Sequence, residues 1–126
     1  MFELTPEGRF DRPDRRIVIS GDTNPTQATI DACRGYDVLI HEANTLASLA
    51  KHPETFQSFA AKYHTSTVQL AELAAKAKPR LLIVYHASIV LRPALSPTAS
   101  APEELLKELQ SRYPGKVVVG RDLDVY

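Results

Sequence analysis

The feature that most constrains the fold is a run of β-branched residues that ends in a glycine and an aspartate. Residues 17–23 read Ile-Val-Ile-Ser-Gly-Asp-Thr, and the first three predict a buried strand. The strand leads directly to Asp22, and the rim of a sheet is where α/β enzymes place metal ligands and acid/base groups. The alternative is that Asp22 only caps the next helix or closes an Asx turn.

The residues after this strand predict a βαβ unit. Asn24 is the expected N-cap and Pro25 the first helical position of a helix over residues 26–33. A second apolar strand follows at residues 38–40. Strand, helix and strand in so short a span imply parallel pairing with a right-handed crossover.

The remaining pattern completes one α/β domain over residues 1–126. Ser66 or Thr65 is expected to cap the strongest helix, which the periodicity predicts over residues 65–77. Residues 9–16 are expected to form a solvated loop that could lead into the strand, and residues 91–102 are expected to form another loop. The other predicted helices cover residues 45–51, 54–62 and 102–112; the other predicted strands cover residues 81–85 and 117–119, with short ones at 2–4 and 123–126.

The composition indicates which partners and which cellular compartment are to be expected. The 15 basic and 15 acidic residues cancel, so charge alone gives no reason to expect nucleic acid or an anionic membrane as partner. Cys33 is the one cysteine, which excludes an intrachain disulfide and is expected to be a small buried residue. No apolar run approaches the ~20 residues of a membrane span, and the N-terminus does not resemble a signal peptide. We therefore expect a cytoplasmic protein with no membrane partner.

Polar residues recur where the predicted strands end. Asp22 follows the first strand, His41-Glu42 the second, and His86 follows residues 81–85, while His64 opens the next helix. The carboxyl ends of parallel strands share one edge of a sheet, so these side chains are expected to converge there. Aspartate and imidazole suit zinc or manganese. Each residue taken alone is equally compatible with an ordinary hydrogen-bonded rim position.

The connection between residues 43 and 64 is long for a link between a strand and a helix. Within it Phe56, Phe59 and Ala60 are predicted to form a small apolar face. Long connections at strand ends often form binding walls or lids. His52, at the break before Pro53, is expected to be an ordinary surface histidine.

Four motifs in order resemble the second half of metallo-β-lactamase-fold hydrolases. They are Ser20-Gly21-Asp22-Thr23, Asp37-Val38-Leu39-Ile40-His41-Glu42-Ala43, His64-Thr65-Ser66-Thr67 and Tyr85-His86. The chain looks most like the tRNA 3′-processing endonuclease and arylsulfatase-like branch, whose motifs are His-Glu-Ala-Thr and His-Ser-Thr. It departs from them at Asn44 and at the threonine inserted after His64. The His-x-His-x-Asp-His motif of the family's N-terminal half is absent from these residues.

The resemblance assigns expected roles to the polar residues. Asp22 matches the aspartate that bridges two metal ions, and His86 matches a terminal metal ligand. His64 matches the proton donor or charge stabiliser, with Glu42 as its acidic partner. The complete family fold binds two zinc (or manganese) ions. A catalytic zinc normally takes three protein ligands, so this chain alone is expected to hold few ions or none. Further rim candidates are His41, Thr23, Thr65 and Ser66.

The resemblance also implies a fold and a function. The fold is one sheet-plus-helices half of an αββα sandwich, with a mixed, mostly parallel sheet and helices on one face. The function is metal-dependent hydrolysis of a phosphodiester or related ester, small-molecule or nucleic-acid, with negligible activity for the half alone. The uncovered sheet face implies self-association or a partner chain that supplies the missing half. Two alternatives remain: a non-catalytic α/β dimerisation or interaction module, and a doubly wound domain with Asp22 as phosphoacceptor or magnesium ligand.

Overall fold

A computed structural model describes residues 3–4, 9–11, 13–33, 38–85, 101–121 and 123–126. These residues form strands and helices that alternate along most of the chain. The strands are β1 (Glu3–Leu4), β2 (Arg9–Asp11), β3 (Arg16–Ile19), β4 (Val38–Glu42), β5 (Leu81–Tyr85) and β6 (Val117–Val119). The helices are α1 (Gln27–Cys33), α2 (Leu46–Leu49), α3 (Glu54–Tyr63), α4 (Thr67–Ala77) and α5 (Pro102–Gln110).

The described strands form one sheet in which each strand lies beside its neighbour in the sequence, in the order β1-β2-β3-β4-β5-β6. The pairs β1–β2 and β2–β3 are antiparallel. The pairs β3–β4, β4–β5 and β5–β6 are parallel. The predicted mixed, mostly parallel sheet is therefore confirmed.

The two faces of the sheet have different surroundings because successive side chains of a strand point to opposite sides. Val18, Leu39 and Leu82 share one register row and are at most 1% exposed. They belong to a core that also contains residues of α1, α4 and α5. The opposite face carries Ile19, which is 36% exposed, and half-buried apolar residues beside it: Ile17, Val38, Ile40, Leu81 and Val118. Helices α1, α4 and α5 thus cover one face of the sheet, as predicted.

Helix α4 anchors the layer of helices. Ser66 is its N-cap: the hydroxyl accepts from the Gln69 backbone N–H, and the Gln69 side chain accepts from the Ser66 backbone N–H. This reciprocal capping box satisfies two backbone donors that the helix itself leaves unpaired. The helix ends at Lys78, which adopts the left-handed conformation with φ of 51°. Its buried face is formed by Leu70, Ala71, Leu73, Ala74 and Ala77.

Two predictions near the N-terminal end of the described chain are wrong. Residues 9–16 are not all loop, since Arg9–Asp11 is a strand paired with β3. There the Arg9 guanidinium lies 2.8 Å from the Asp11 carboxylate. Helix α1 begins at Gln27, and its cap is Thr26 rather than Asn24, because the Thr26 hydroxyl accepts from the Thr29 backbone N–H at 3.2 Å.

Other local predictions have mixed outcomes. Cys33 is fully buried, as expected. Residues 123–126 form no strand among the described residues. Most of the predicted loop at residues 91–102 lies outside the described residues. Across the ranges that the structure describes, no helix is both long and apolar enough to cross a membrane.

Candidate functional site

The centre of the candidate site is the carboxylate of Glu42, the last residue of β4. Its side chain is 1% exposed, so its oxygens need internal donors. The backbone N–H of Thr23 donates to Oε1 at 2.5 Å. Nδ1 of His64 lies 3.0 Å from both Oε1 and Oε2. One buried carboxylate therefore joins the loop after β3 to the start of the segment before α4.

A second set of bonds fixes His64 and its neighbours against the sheet edge. The backbone of Asn44 accepts from Thr67 N–H at 2.9 Å and donates to the Thr65 carbonyl at 2.8 Å, which forms an isolated parallel bridge. The Thr65 hydroxyl donates to the Thr23 carbonyl at 2.6 Å. Both backbone polar groups of Thr23 are thus used to tie its loop to the Glu42–His64 pair.

The electrostatics of Glu42 reflect its burial. Desolvation raises the pKa of the Glu42 carboxyl, and the negative charge of Asp22 adds to the rise. The hydrogen bonds from Thr23 and His64, together with the charge of His64, act in the opposite direction. A carboxylate that accepts from Nδ1 leaves Nε2 as the ring nitrogen that the pair does not use. The His64 side chain is 18% exposed, so a small group can approach it.

Asp22 lies in the loop after β3, next to Thr23, whose backbone N–H donates to Glu42. Its side chain is exposed, and Gly21 before it has φ of +68°, which a glycine adopts without steric cost. The second predicted metal ligand, His86, lies outside the described residues. Among the described residues, no three His, Cys, Asp or Glu side chains are gathered as a metal-binding group. The described part of the site by itself therefore does not fit a metal ion.

Three of the predicted rim residues are held by contacts within the chain. His41 is fully buried; it alternates with Glu42 along β4 and therefore points to the face that α1, α4 and α5 cover. Its Nδ1 bonds the Glu42 carbonyl at 2.8 Å, and burial lowers its pKa. The hydroxyls of Thr65 and Ser66 are engaged in the loop contact and the helix cap described above.

Sequence reasoning missed two residues at this edge. Tyr85 is paired in register with Glu42, and its pKa is raised by desolvation and then by the charges of Asp22 and Glu42. The sequence did contain a signal for Tyr85, because it is the last residue of β5 just as Glu42 is the last residue of β4. Glu108 of α5 accepts from the Thr67 hydroxyl at 2.6 Å. No spacing in the sequence indicates a contact between residues 41 positions apart.

Comparison with known proteins finds similarity to ribonuclease Z of several organisms. The chain is 35% identical over 119 residues to ribonuclease Z of Thermoplasma acidophilum, a match that covers 90% of this chain and 36% of that protein. It is 31% identical over 120 residues to ribonuclease Z of Pseudomonas putida, covering 94% and 35%. The chain spans about a third of the length of the curated relatives it matches. No protein-family model matches it.

A solved structure with a similar fold is the metallo-β-lactamase fold protein YhfI from Bacillus subtilis. The TM-score is 0.69 at 18% sequence identity. The match covers 94% of this chain but 42% of that one. Nearly the whole of the present chain therefore corresponds to part of a larger fold.

Proposed function

We propose that this chain, a partial metallo-β-lactamase fold homologous to ribonuclease Z, is the C-terminal half of a metal-dependent phosphodiesterase and is inactive alone. The observation that carries the proposal is the Glu42–His64 pair. A fully buried carboxylate that contacts one imidazole nitrogen through both oxygens is a costly arrangement. Such an arrangement is typical of a histidine whose orientation matters.

The chemistry assigned to the pair is proton transfer. Glu42 holds Nδ1–H and so fixes the ring plane and the tautomer of His64. The outward Nε2 then gives a proton to the oxygen that leaves when a phosphodiester is cleaved. The bonds that connect Thr23 to Glu42 and Thr65 keep Asp22 and His64 on the same rim.

Zinc or manganese belongs to the complete fold in this proposal. Asp22 is the one proposed ligand within the described residues, and the remaining ligands come from His86 and from the complementary half. Because the described residues do not form a metal-binding group, we assign no reaction step to the ion in this chain.

The open face of the sheet supports the idea of a complementary half. Ile19, which is 36% exposed, and half-buried apolar residues of β3, β4 and β5 lie in neighbouring register positions on this face. Apolar patches of this kind mark interaction sites. The occupant we propose is a second sheet-and-helix half that packs on this face. Association of two copies of this chain through the same face is the second candidate, and it would make the protein an interaction module.

A chimeric enzyme tests the function. The segment of Thermoplasma acidophilum ribonuclease Z that matches this chain is replaced by residues 1–126, and hydrolysis of a precursor tRNA and of bis(p-nitrophenyl) phosphate is measured with zinc or manganese. We expect activity in the chimera and a loss of about 10²–10⁴-fold for His64→Ala, the range for removal of a general acid. Glu42→Gln is expected to lower the rate as well, because the amide cannot accept from Thr23 and His64 in the same way.

The control is Glu72→Gln, which makes the same chemical change on the exposed side of α4 and should leave the rate unchanged. A folded, metal-loaded chimera without activity would contradict the proposal, as would full activity of His64→Ala. The isolated chain is expected to be inactive and to self-associate in light scattering. Hydrolysis by the isolated chain at the rate of the intact relative would also overturn it.

A further inference from the structure

Helix α3 and His52, which lies two residues before its start, carry a row of neighbouring rings that are tilted against one another. We call His52, Phe56, Phe59 and Tyr63 the aromatic ladder. Ring centroids lie 4.2 Å apart for His52 and Phe56, 6.3 Å for Phe56 and Phe59, and 4.9 Å for Phe59 and Tyr63. The intervals of three and four residues place Phe56, Phe59 and Tyr63 on one side of α3, and His52 extends the row through its contact with Phe56.

Two rings of the ladder are exposed to solvent, whereas His52 and Phe56 are half-buried. Phe59 is 50% exposed and Tyr63 is 56% exposed. Ala60, by contrast, is only 4% exposed. The sequence predicted one apolar face for Phe56, Phe59 and Ala60, but Ala60 is the only residue of α3 that is buried. Large exposed aromatic side chains in a row indicate a binding surface.

The ladder leads to the candidate site. The centroid of the Phe59 ring lies 6.2 Å from that of His64. The backbone N–H of His64 donates to the carbonyl of Ala60, one helical turn earlier. A ligand that lies along the ladder would therefore reach the imidazole that Glu42 orients.

We propose that the aromatic ladder is a stacking platform for unpaired bases of a single-stranded RNA whose scissile phosphodiester reaches His64. This inference rests on the proposed function and assigns the residues that would bind the unpaired part of its substrate. Bases stack on aromatic rings irrespective of sequence. Stacking also needs no strongly basic surface, which suits a chain with balanced charge. Lys51 and Lys62 lie in the same segment, against the single carboxylate of Glu54, so local charge favours a phosphate backbone.

A substitution by leucine separates stacking from simple apolar packing. Leucine keeps most of the apolar volume of phenylalanine but has no π face. A protein segment that merely covers the ladder tolerates Phe59→Leu or Tyr63→Leu. A stacked base does not, because its contact is with the flat ring.

The experiment measures binding of a fluorescein-labelled hexa-adenylate RNA to the metal-free full chain by fluorescence anisotropy. We expect saturable binding, with a dissociation constant about fivefold or more weaker for Phe59→Leu and for Tyr63→Leu, the lower end of the range for loss of one stacked base. The control is Leu46→Ala, an exposed apolar residue outside the ladder, which should bind as the parent does. Circular dichroism confirms that each variant folds.

Three outcomes would overturn the inference. They are no binding by the parent chain, equal binding by the leucine variants, and aromatic NMR shifts that change with protein concentration but not with RNA. The last result would assign the ladder to contacts between copies of the chain. Binding without hydrolysis in the chimera would sink the proposed function alone, whereas hydrolysis without ladder-dependent binding would sink this inference alone.

Discussion

Replacement of Glu108 by glutamine should destabilise the protein far more than its surface position suggests. The carboxylate accepts from three donors: the backbone N–H of Leu46 at 2.9 Å, the backbone N–H of Ala47 at 3.2 Å and the hydroxyl of Thr67 at 2.6 Å. A carboxylate accepts at both oxygens, whereas an amide donates at one end. In Glu108→Gln the NH₂ group must therefore face at least one of these donors.

The size of the effect follows from the bonds that change. If the remaining oxygen of glutamine keeps the Leu46 and Thr67 donors, Ala47 loses its acceptor and meets another donor. The two surviving bonds pass from charged to neutral, each worth about 1 kcal/mol rather than roughly 1.5–3 kcal/mol. The three hydrogen bonds to Glu108 are partly open to solvent, which reduces these values, so we expect a net loss of about 2 kcal/mol. Urea unfolding followed by circular dichroism measures this loss.

Glu103→Gln is the matched control, since it makes the same change in the exposed first turn of α5 and should cost at most about 0.5 kcal/mol. Glu108 also joins the start of α2 to the start of α4. These two helix starts lie just after Asn44 and Ser66 in the sequence. We therefore expect the Nδ1–H resonance of His64 to broaden or shift in Glu108→Gln but not in the control. Equal stability of the two variants would refute the donor-counting argument.

Two further predictions concern single residues in the helices. Burial raises the pKa of the Cys33 thiol from its ordinary value of 9.0 to about 11. The unfolded chain loses this proton first, so the native state should lose about 2 kcal/mol between pH 9 and pH 11 relative to Cys33→Ala; parallel stability curves from urea unfolding would contradict this. Lys78→Gly should stabilise the protein by about 1 kcal/mol because glycine adopts the left-handed conformation at the end of α4 without strain. The control Lys76→Gly lies inside α4 and should destabilise the protein by about 1 kcal/mol. A thermal melt in which Lys78→Gly is less stable than Lys76→Gly would contradict this explanation of the end of α4.

The central strands were predictable because burial on a parallel sheet demands continuous apolar residues. The runs at residues 17–19, 38–40, 81–85 and 117–119 are all strands in the structure. The motifs at their ends also identified the fold, and the predicted likeness to the metallo-β-lactamase fold and to ribonuclease Z is confirmed over this part of those chains.

Other features depend on contacts that no local pattern encodes. Arg9–Asp11 has a charged sequence yet forms a strand, because pairing with β3 supplies its hydrogen bonds and an ion pair joins its two charges. The opposite surroundings of His41 and Glu42 depend on which face of β4 the helices cover. Glu108 is absent from any motif since its partners lie more than 40 residues away along the chain.

The order of the strands has a consequence for synthesis on the ribosome. Each described strand after the first pairs with the strand that precedes it in the sequence. Growth from the N-terminus therefore always presents a new strand with a neighbour that has already left the exit tunnel. After β1, which waits for β2, no described strand has to remain unpaired and prone to aggregate until a later segment is translated. The sheet can grow one strand at a time at a single advancing edge, from β1 to β6.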